Sequence, residues 1–155
     1  MKLRSELMPP KLDESLVSRL TSLSEKIDCG DPGKVQDLVI AFNRDAGTNF
    51  GFSDFQGIYG GQDHNTWVRK VLASPYLKCV DGITRSELAE MARRVMENDG
   101  PELAVDFWLS MLEVNIPDDR ISDLIFWPNE YFGDPNYAED LSPEQVIETA
   151  LENKV

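Results

Sequence analysis

The chain has 155 residues, 41% of them hydrophobic and 28% charged, enough to bury the core of one ordinary domain or of two small modules. No apolar run approaches the length of a membrane span, and the N-terminal MKLRSELMPPKLDES has no apolar stretch behind its basic residues, so it is no secretory signal and the expected location is the cytoplasm. The net charge of −13 is uneven, with 11 acidic and 10 basic side chains in residues 1–82 against 17 and 5 in residues 83–155; the acidic second part repels nucleic acid and membranes and attracts cations or basic proteins.

Helical signals dominate from the start. Leu16, Leu20, Leu23 and Ile27 recur at helical spacing behind a cap at Asp13, and Gly30 stops that helix. Asp31-Pro32 reads as N-cap and first-turn proline of a second helix, which buries Val35, Leu38, Val39 and Phe42 and ends before Gly47. Ser53 opens a short turn, SDFQGIYGG. Asn65 is placed as the cap of a helix bearing Trp67, Val68, Val71 and Leu72, stopped near Pro75.

The chemistry-bearing residues of this half are sparse. Cys29 and Cys79 lack metal-ligand spacing and read as reduced thiols. His64, the single histidine, reads as a surface-loop residue or a cap. Gly60-Gly61 has no lysine after it, so IYGGQD is not a phosphate loop, and no stretch follows the calcium-loop pattern. No catalytic, metal-binding or cofactor-binding residue is assigned, and the expectation is a protein that is not an enzyme and has no cofactor.

The second half is clearer. TRSE, Thr84 to Glu87, fits a capping box, with Leu88, Met91, Ala92 and Val95 behind it at core spacing. DGPE resets the chain before a helix from about Pro101 to Asn115. A short turn spans Ser122–Trp127, and SPEQ, Ser142 to Gln145, is a second capping box ahead of Val146, Ile147, Ala150 and Leu151. Strand signals are weak throughout, so the fold class expected is all-α, a helical bundle, with a helical N-terminal module over 1–80 and an acidic four-helix module over 81–155. The halves share a layout. Ser53-Asp54-Phe55 with Ile58-Tyr59 parallels Ser122-Asp123-Leu124 with Phe126-Trp127, and a shift of 69 places Leu38 on Phe107, Val39 on Trp108 and Phe42 on Met111. A degenerate tandem repeat and a chance match of apolar spacing are both open.

Two surfaces stand out. On a helical wheel of residues 101–115, Glu102, Asp106 and Glu113 fall close together on one side, because their spacings match whole turns. Ser110 lies at one edge of that side, and Leu109 and then Val105 at the other. Three carboxylates flanked by two aliphatics thus share a face, with no lysine or arginine in the helix to offset their repulsion. A solvated face and a surface awaiting a basic partner both fit. The second surface is DDRISDLIFWPNEY, residues 118–131, where Leu124 to Pro128 run apolar between acidic residues. A segment that short cannot bury every side. Some of its side chains anchor it, and the rest stand in water beside the carboxylates, the composition of a protein-binding hot spot.

ISDLIFWP, Ile121 to Pro128, resembles the SDLIYYP signature of the colicin/pyocin nuclease immunity proteins. The likeness extends to the TxxE cap and helix at 84–98, the helix at 101–115 and the SPxxxI start of the last helix at Ser142, Pro143 and Ile147. It covers about residues 80–153. The resemblance implies a distorted four-helix bundle with a one-turn third helix. It also implies binding of a basic bacteriocin nuclease domain, with no direct contact to nucleic acid. Carried over by position, the specificity face falls on Glu102, Val105, Asp106, Leu109 and Glu113, and the shared hot spot on Asp123, Phe126 and Trp127 with Ser122 as its cap. The family's paired tyrosines are Phe126 and Trp127 here, and the loop after Pro128 is longer, adding Tyr131, Phe132 and Tyr137. The alternative is an adaptor that turns the same acidic face to an unrelated basic partner. Residues 1–80 have three readings: a second module of the same kind, a lid on the oversized apolar surface of the 101–115 helix, or a dimerisation unit.

Overall fold

The structure, a computed structural model, describes residues 1–152, with the backbone alone of Tyr59. The last three residues of the C-terminal module and the Tyr59 ring named above lie outside the described residues. The fold is all-α, and no strand occurs among the described residues. The chain divides into two compact units, one of Pro10–Pro75 and one that joins Met1–Pro9 to the chain from Tyr76 onward.

In the unit of Pro10–Pro75, helix α1 (Glu14–Asp28) is central. The Asp13 carboxylate accepts from the amides of Ser15 and Leu16 and starts it, as the sequence implies. Val17, Leu20 and Ile27 of α1 meet Val39 and Phe42 of α2 (Gln36–Ala46) and Val68 of α4 (His64–Ala73) in one core. α2 begins four residues later than Asp31-Pro32 suggests. The Asp31 carboxylate accepts from the Gly33 amide at 2.9 Å, and its carbonyl accepts from Lys34 and Val35. Those residues form a turn, which spends the helix-starting signal locally. Gly30 is required by packing: a Cβ there would lie 2.3 Å from Val35 Cγ1 and 2.8 Å from the Lys26 carbonyl. Gly47 closes α2 in the left-handed region at φ 71°. A 3₁₀ turn at Phe52–Phe55 and a short helix α3 (Ile58–Gly61) follow. Phe42, Phe50, Phe55 and Trp67 stack with centroids 4.9 to 6.2 Å apart. The cap of α4 is Asp63, whose carboxylate accepts from Thr66, and not Asn65, whose amide oxygen accepts from Arg69.

In the other unit, α5 (Arg85–Met96) is central and packs on α6 (Glu102–Asn115) and α9 (Pro143–Glu152). Both capping boxes form as read: Glu87 N–H donates to Thr84 Oγ1 and Thr84 N–H to Glu87 Oε1, and Ser142 and Gln145 exchange the same pair of bonds. α6 is apolar on two sides, and one must be covered from outside the four helices. The N-terminal strap does this. Leu3 and Leu7 are buried in the core beside Trp108, and the Trp108 indole N–H donates to the Leu7 carbonyl at 2.9 Å. Arg94 stacks on the same indole at 4.8 Å and donates to the Met1 carbonyl. Arg4 makes a two-pronged pair with Glu87 at 2.7 and 2.9 Å. Residues 1–9 thus complete the core of the unit that lies furthest from them in sequence. The third helix, α7 (Ile121–Phe126), has six residues, and the segment after it forms a further short helix, α8 (Pro128–Phe132), where the sequence suggests only a loop.

Candidate functional site

α6 reads ELAVDFWLSMLEVN, with no glycine or proline inside and Pro101 just ahead of it. Phe107, Trp108, Met111 and Leu112 are buried. The opposite stripe holds the five residues singled out above: Glu102 and Glu113 are exposed, and Val105, Asp106 and Leu109 are half-buried. Val105 and Leu109 lean on the edge of the core. Glu102 lies in the first turn, where the helix dipole favours an anion. Glu113 lies at the other end, near the unpaired carbonyls, and the last turn holds no basic residue. An anion there is disfavoured by the helix dipole, by roughly 0.3–1 kcal/mol.

α7 packs on α6 and carries the remaining candidates. Its start is set by Asp118, which is buried: one carboxylate oxygen accepts from the Arg120 amide at 2.9 Å and the other from the Tyr131 hydroxyl. Arg120 is the N-cap residue and makes no side-chain cap bond. Ser122 is therefore not the cap assigned to it; it is the second residue of the helix and half-buried. Ile121 and Leu124 plug the core, Leu124 at 1% exposure. Pro128 then ends α7, because its ring disfavours helical backbone at the preceding residue, and Trp127 takes φ −139°, ψ 60°. That kink leaves Phe126 at 48% and Trp127 at 58% exposure. The backbone under the rings is held from both sides. Trp127 N–H donates to the Asp123 carbonyl at 2.6 Å, and the Trp127 carbonyl accepts from Glu130 and Tyr131. The backbone that carries the two large exposed rings is thereby ordered before any partner arrives, which lowers the ordering cost of binding them. Asp123, on the same helix, is half-buried and 3.4 Å from Arg120 Nε.

The electrostatic setting is one-sided. From Asp99 to Glu152 there are 14 acidic residues and a single basic one, Arg120. The α5 arginines are engaged at close range: Arg93 pairs with Glu90, Glu97 and Asp99, and Arg94 with Glu90. Arg93, then Arg94, hold the Glu90 carboxyl down at about 2 against the burial that opposes them. Arg4 likewise holds Glu87 below its ordinary value.

The supports of the rings, Asp118, Arg120 and Tyr131, were not legible as such. The Tyr131–Asp118 bond spans 13 residues, and only the turn signal PDD hints at it. In the other unit, His64 is not a surface-loop residue. It is buried, with Nε2 2.8 Å from Asp28 Oδ2, while the Gly57 amide donates to Asp28 Oδ1. This arrangement ties the end of α1 to the start of α4. Among the described residues no group of three or more His, Cys, Asp or Glu could hold a metal, and no helix is long and apolar enough to cross a membrane.

The family model described as colicin immunity protein / pyocin immunity protein matches residues 80–155. Over 75 residues the chain is 35% identical to YezA, an uncharacterized protein of Bacillus subtilis (strain 168); the match covers 48% of this chain and 97% of YezA. No solved structure matches the chain.

Proposed function

Because this chain belongs to the colicin immunity protein / pyocin immunity protein family through residues 80–155, we propose that it binds the basic nuclease domain of a bacteriocin-type toxin and inhibits it by occupancy, with no chemistry of its own. The observation that carries this reading is the pair of water-exposed rings, Phe126 and Trp127, on an ordered turn of the acidic unit. A fold does not need them there. A cationic partner does: long-range attraction speeds encounter, and rigid aromatic area then holds the complex.

The roles divide by position. Glu102, Asp106 and Glu113 on α6 face the partner as a charged stripe, with Val105 and Leu109 between them. A nuclease that cannot pair these carboxylates leaves them desolvated and is rejected. Asp123, Phe126 and Trp127 supply the contact common to every accepted nuclease, and Ser122 lies beside them on the same turn. Trp127 keeps an indole N–H where the family's second tyrosine has a hydroxyl, so a donor remains at that place. The test is a nuclease assay with purified bacteriocin nuclease domains, of both DNA- and RNA-cleaving types. The wild-type chain should abolish the cleavage of at least one of them at equimolar ratio, and Trp127→Ala should not at the same concentration. Failure of the wild type against every such domain, together with capture of some other basic protein through the same face, would turn the reading to an adaptor.

A further inference from the structure

The segment from Pro128 to Leu141 joins the end of the ISDLIFWP signature to the last helix, and it is built rather than slack. Pro128 opens α8. Gly133 closes it in the left-handed region at φ 66°, its amide donating to the Glu130 carbonyl at 3.2 Å. The Asp134 amide donates back to the Asn129 carbonyl at 2.9 Å, the Asp134 carboxylate accepts from Asn136, and the Asp134 carbonyl accepts from Tyr137. Tyr131 anchors the whole segment: its ring is buried, its hydroxyl reaches Asp118, and the Arg120 guanidinium lies 5.0 Å over its face. Arg120 also donates to the carbonyls of Glu130 and Tyr131.

This scaffold presents one more ring to water. Phe132 is 43% exposed, with Tyr131 meeting it edge-on at 5.2 Å and Tyr137 tilted against it at 5.0 Å. A single exposed phenylalanine is ordinary. Phe126, Trp127 and Phe132 together put three exposed rings within seven residues, on backbone locked at each step. Apart from Arg120, which is committed to Tyr131 and Asp123, the charges around them are acidic. Glu130, Asp134, Glu139 and Asp140 are exposed, and there is no lysine or arginine from Ile121 to Glu152. A second copy of this chain, at −13, would be repelled from such a surface, and a cationic protein drawn to it.

We propose that Phe132, braced by Tyr131 and Tyr137, is a third aromatic contact of the docking surface and receives an arginine-bearing edge of the basic toxin domain. A guanidinium can stack on the ring while its N–H groups meet Glu130 or Asp134. The inference rests on the reading of α7 as the docking site. Phe132 adds to it a specificity element five residues after Trp127, so that nucleases lacking the matching cation lose that contact.

The experiment measures dissociation constants of the full chain for a panel of purified, catalytically inactive bacteriocin nuclease domains. Wild type, Trp127→Ala, Phe132→Ala and Phe132→Trp are compared, with thermal melts run on each. Phe132→Ala should weaken the tightest complex about tenfold, or roughly 1.4 kcal/mol. It should leave the melting temperature within a degree or so of wild type, and Phe132→Trp should restore the affinity. If Trp127→Ala weakens binding and Phe132→Ala does not, the docking reading stands and this inference falls. If Phe132→Ala melts early and Phe132→Trp fails to restore binding, the ring supports the fold only and the inference again falls. If no domain binds the wild type, both fall together.

Discussion

Adding 69 to each residue number carries α1 (14–28) onto 83–97, against α5 at 85–96, and α2 (36–46) onto 105–115, against α6 at 102–115. The 3₁₀ turn at 52–55 lands on 121–124, inside α7, and α3 (58–61) on 127–130, beside α8 at 128–132. The packing follows: α1 is central between α2 and α4, and α5 is central between α6 and α9. Phe42 and Phe55 are fully buried in one unit as Met111 and Leu124 are in the other. The two units therefore share a plan of helices and core positions, as a degenerate repeat would. They part at the surface. Phe126 corresponds to Gly57 and Trp127 to Ile58, which is buried. Glu113 corresponds to Arg44 and Glu102 to Gly33, while Asp106 and Leu109 keep counterparts of their kind in the exposed Asp37 and Ile40. The last helix also shifts. Two residues separate α3 from α4, and ten separate α8 from α9. The plan needs the buried ring or leucine at the short turn; among the described residues, a pair of exposed rings at that turn, the full three-carboxylate stripe and the extra residues occur in the acidic unit alone. We infer that the chain engages one toxin domain, through that unit.

The difference can be broken from several sides. The largest effect is expected from the strap, which the acidic unit uses and the other does not. Leu7 is fully buried against Trp108, so Leu7→Ala should cost about 2–5 kcal/mol, read as a lower denaturation midpoint by circular dichroism. Next comes Phe126→Ala, expected to lose about 2 kcal/mol of binding to the nuclease domain, measured by calorimetry, with no comparable loss of stability.

Acid should separate the units further. Glu90 and Glu87 have folded-state pKa values below their unfolded ones, Glu90 at about 2. Their contribution is complete above the ordinary glutamate range and is lost as the pH falls through the folded value. The acidic unit should thus lose stability between about pH 4.5 and pH 2. Glu90→Gln should flatten that loss while lowering stability at pH 7 by roughly 1.5–3 kcal/mol, as for a charged hydrogen bond removed. In the other unit, the lowered carboxyls, Glu14 beside Arg69 and Asp63 at its cap, are at the surface, and a weaker acid response is expected. The smallest effects come last. Glu113→Gln should slow association a few-fold at low salt and leave the off-rate alone. Ile40→Ala, at the counterpart of Leu109, should change nothing in toxin binding; a tenfold loss there would make the N-terminal unit a second docking head.

Much of this was legible because the signals were local. Asp13, the two capping boxes and Gly47 act within four residues of themselves, and each marks its helix as read. The α6 stripe followed from a wheel, since helix period alone decides which residues share a side. The exposure of Phe126 and Trp127 followed from the shortness of a turn ended by proline. What was hidden is long-range. Nothing local in MKLRSELMPP says that Leu3 and Leu7 will pack on a tryptophan a hundred residues away, although the excess apolar surface of α6 required some cover. Asp31-Pro32 misled because a turn and a helix start share their first bonds. Ser122 reads as the cap both from its place at the head of the short turn and from the signature, whereas the buried Asp118 organises the turn through Arg120 and Tyr131.

The most direct measurement is the dissociation rate of an inactive bacteriocin nuclease domain from the wild-type chain and from Trp127→Ala, followed by stopped-flow competition at physiological salt. A rise of about thirtyfold or more, with association changed less than twofold, is the result expected if the exposed ring holds the complex. An off-rate indistinguishable from wild type would contradict it.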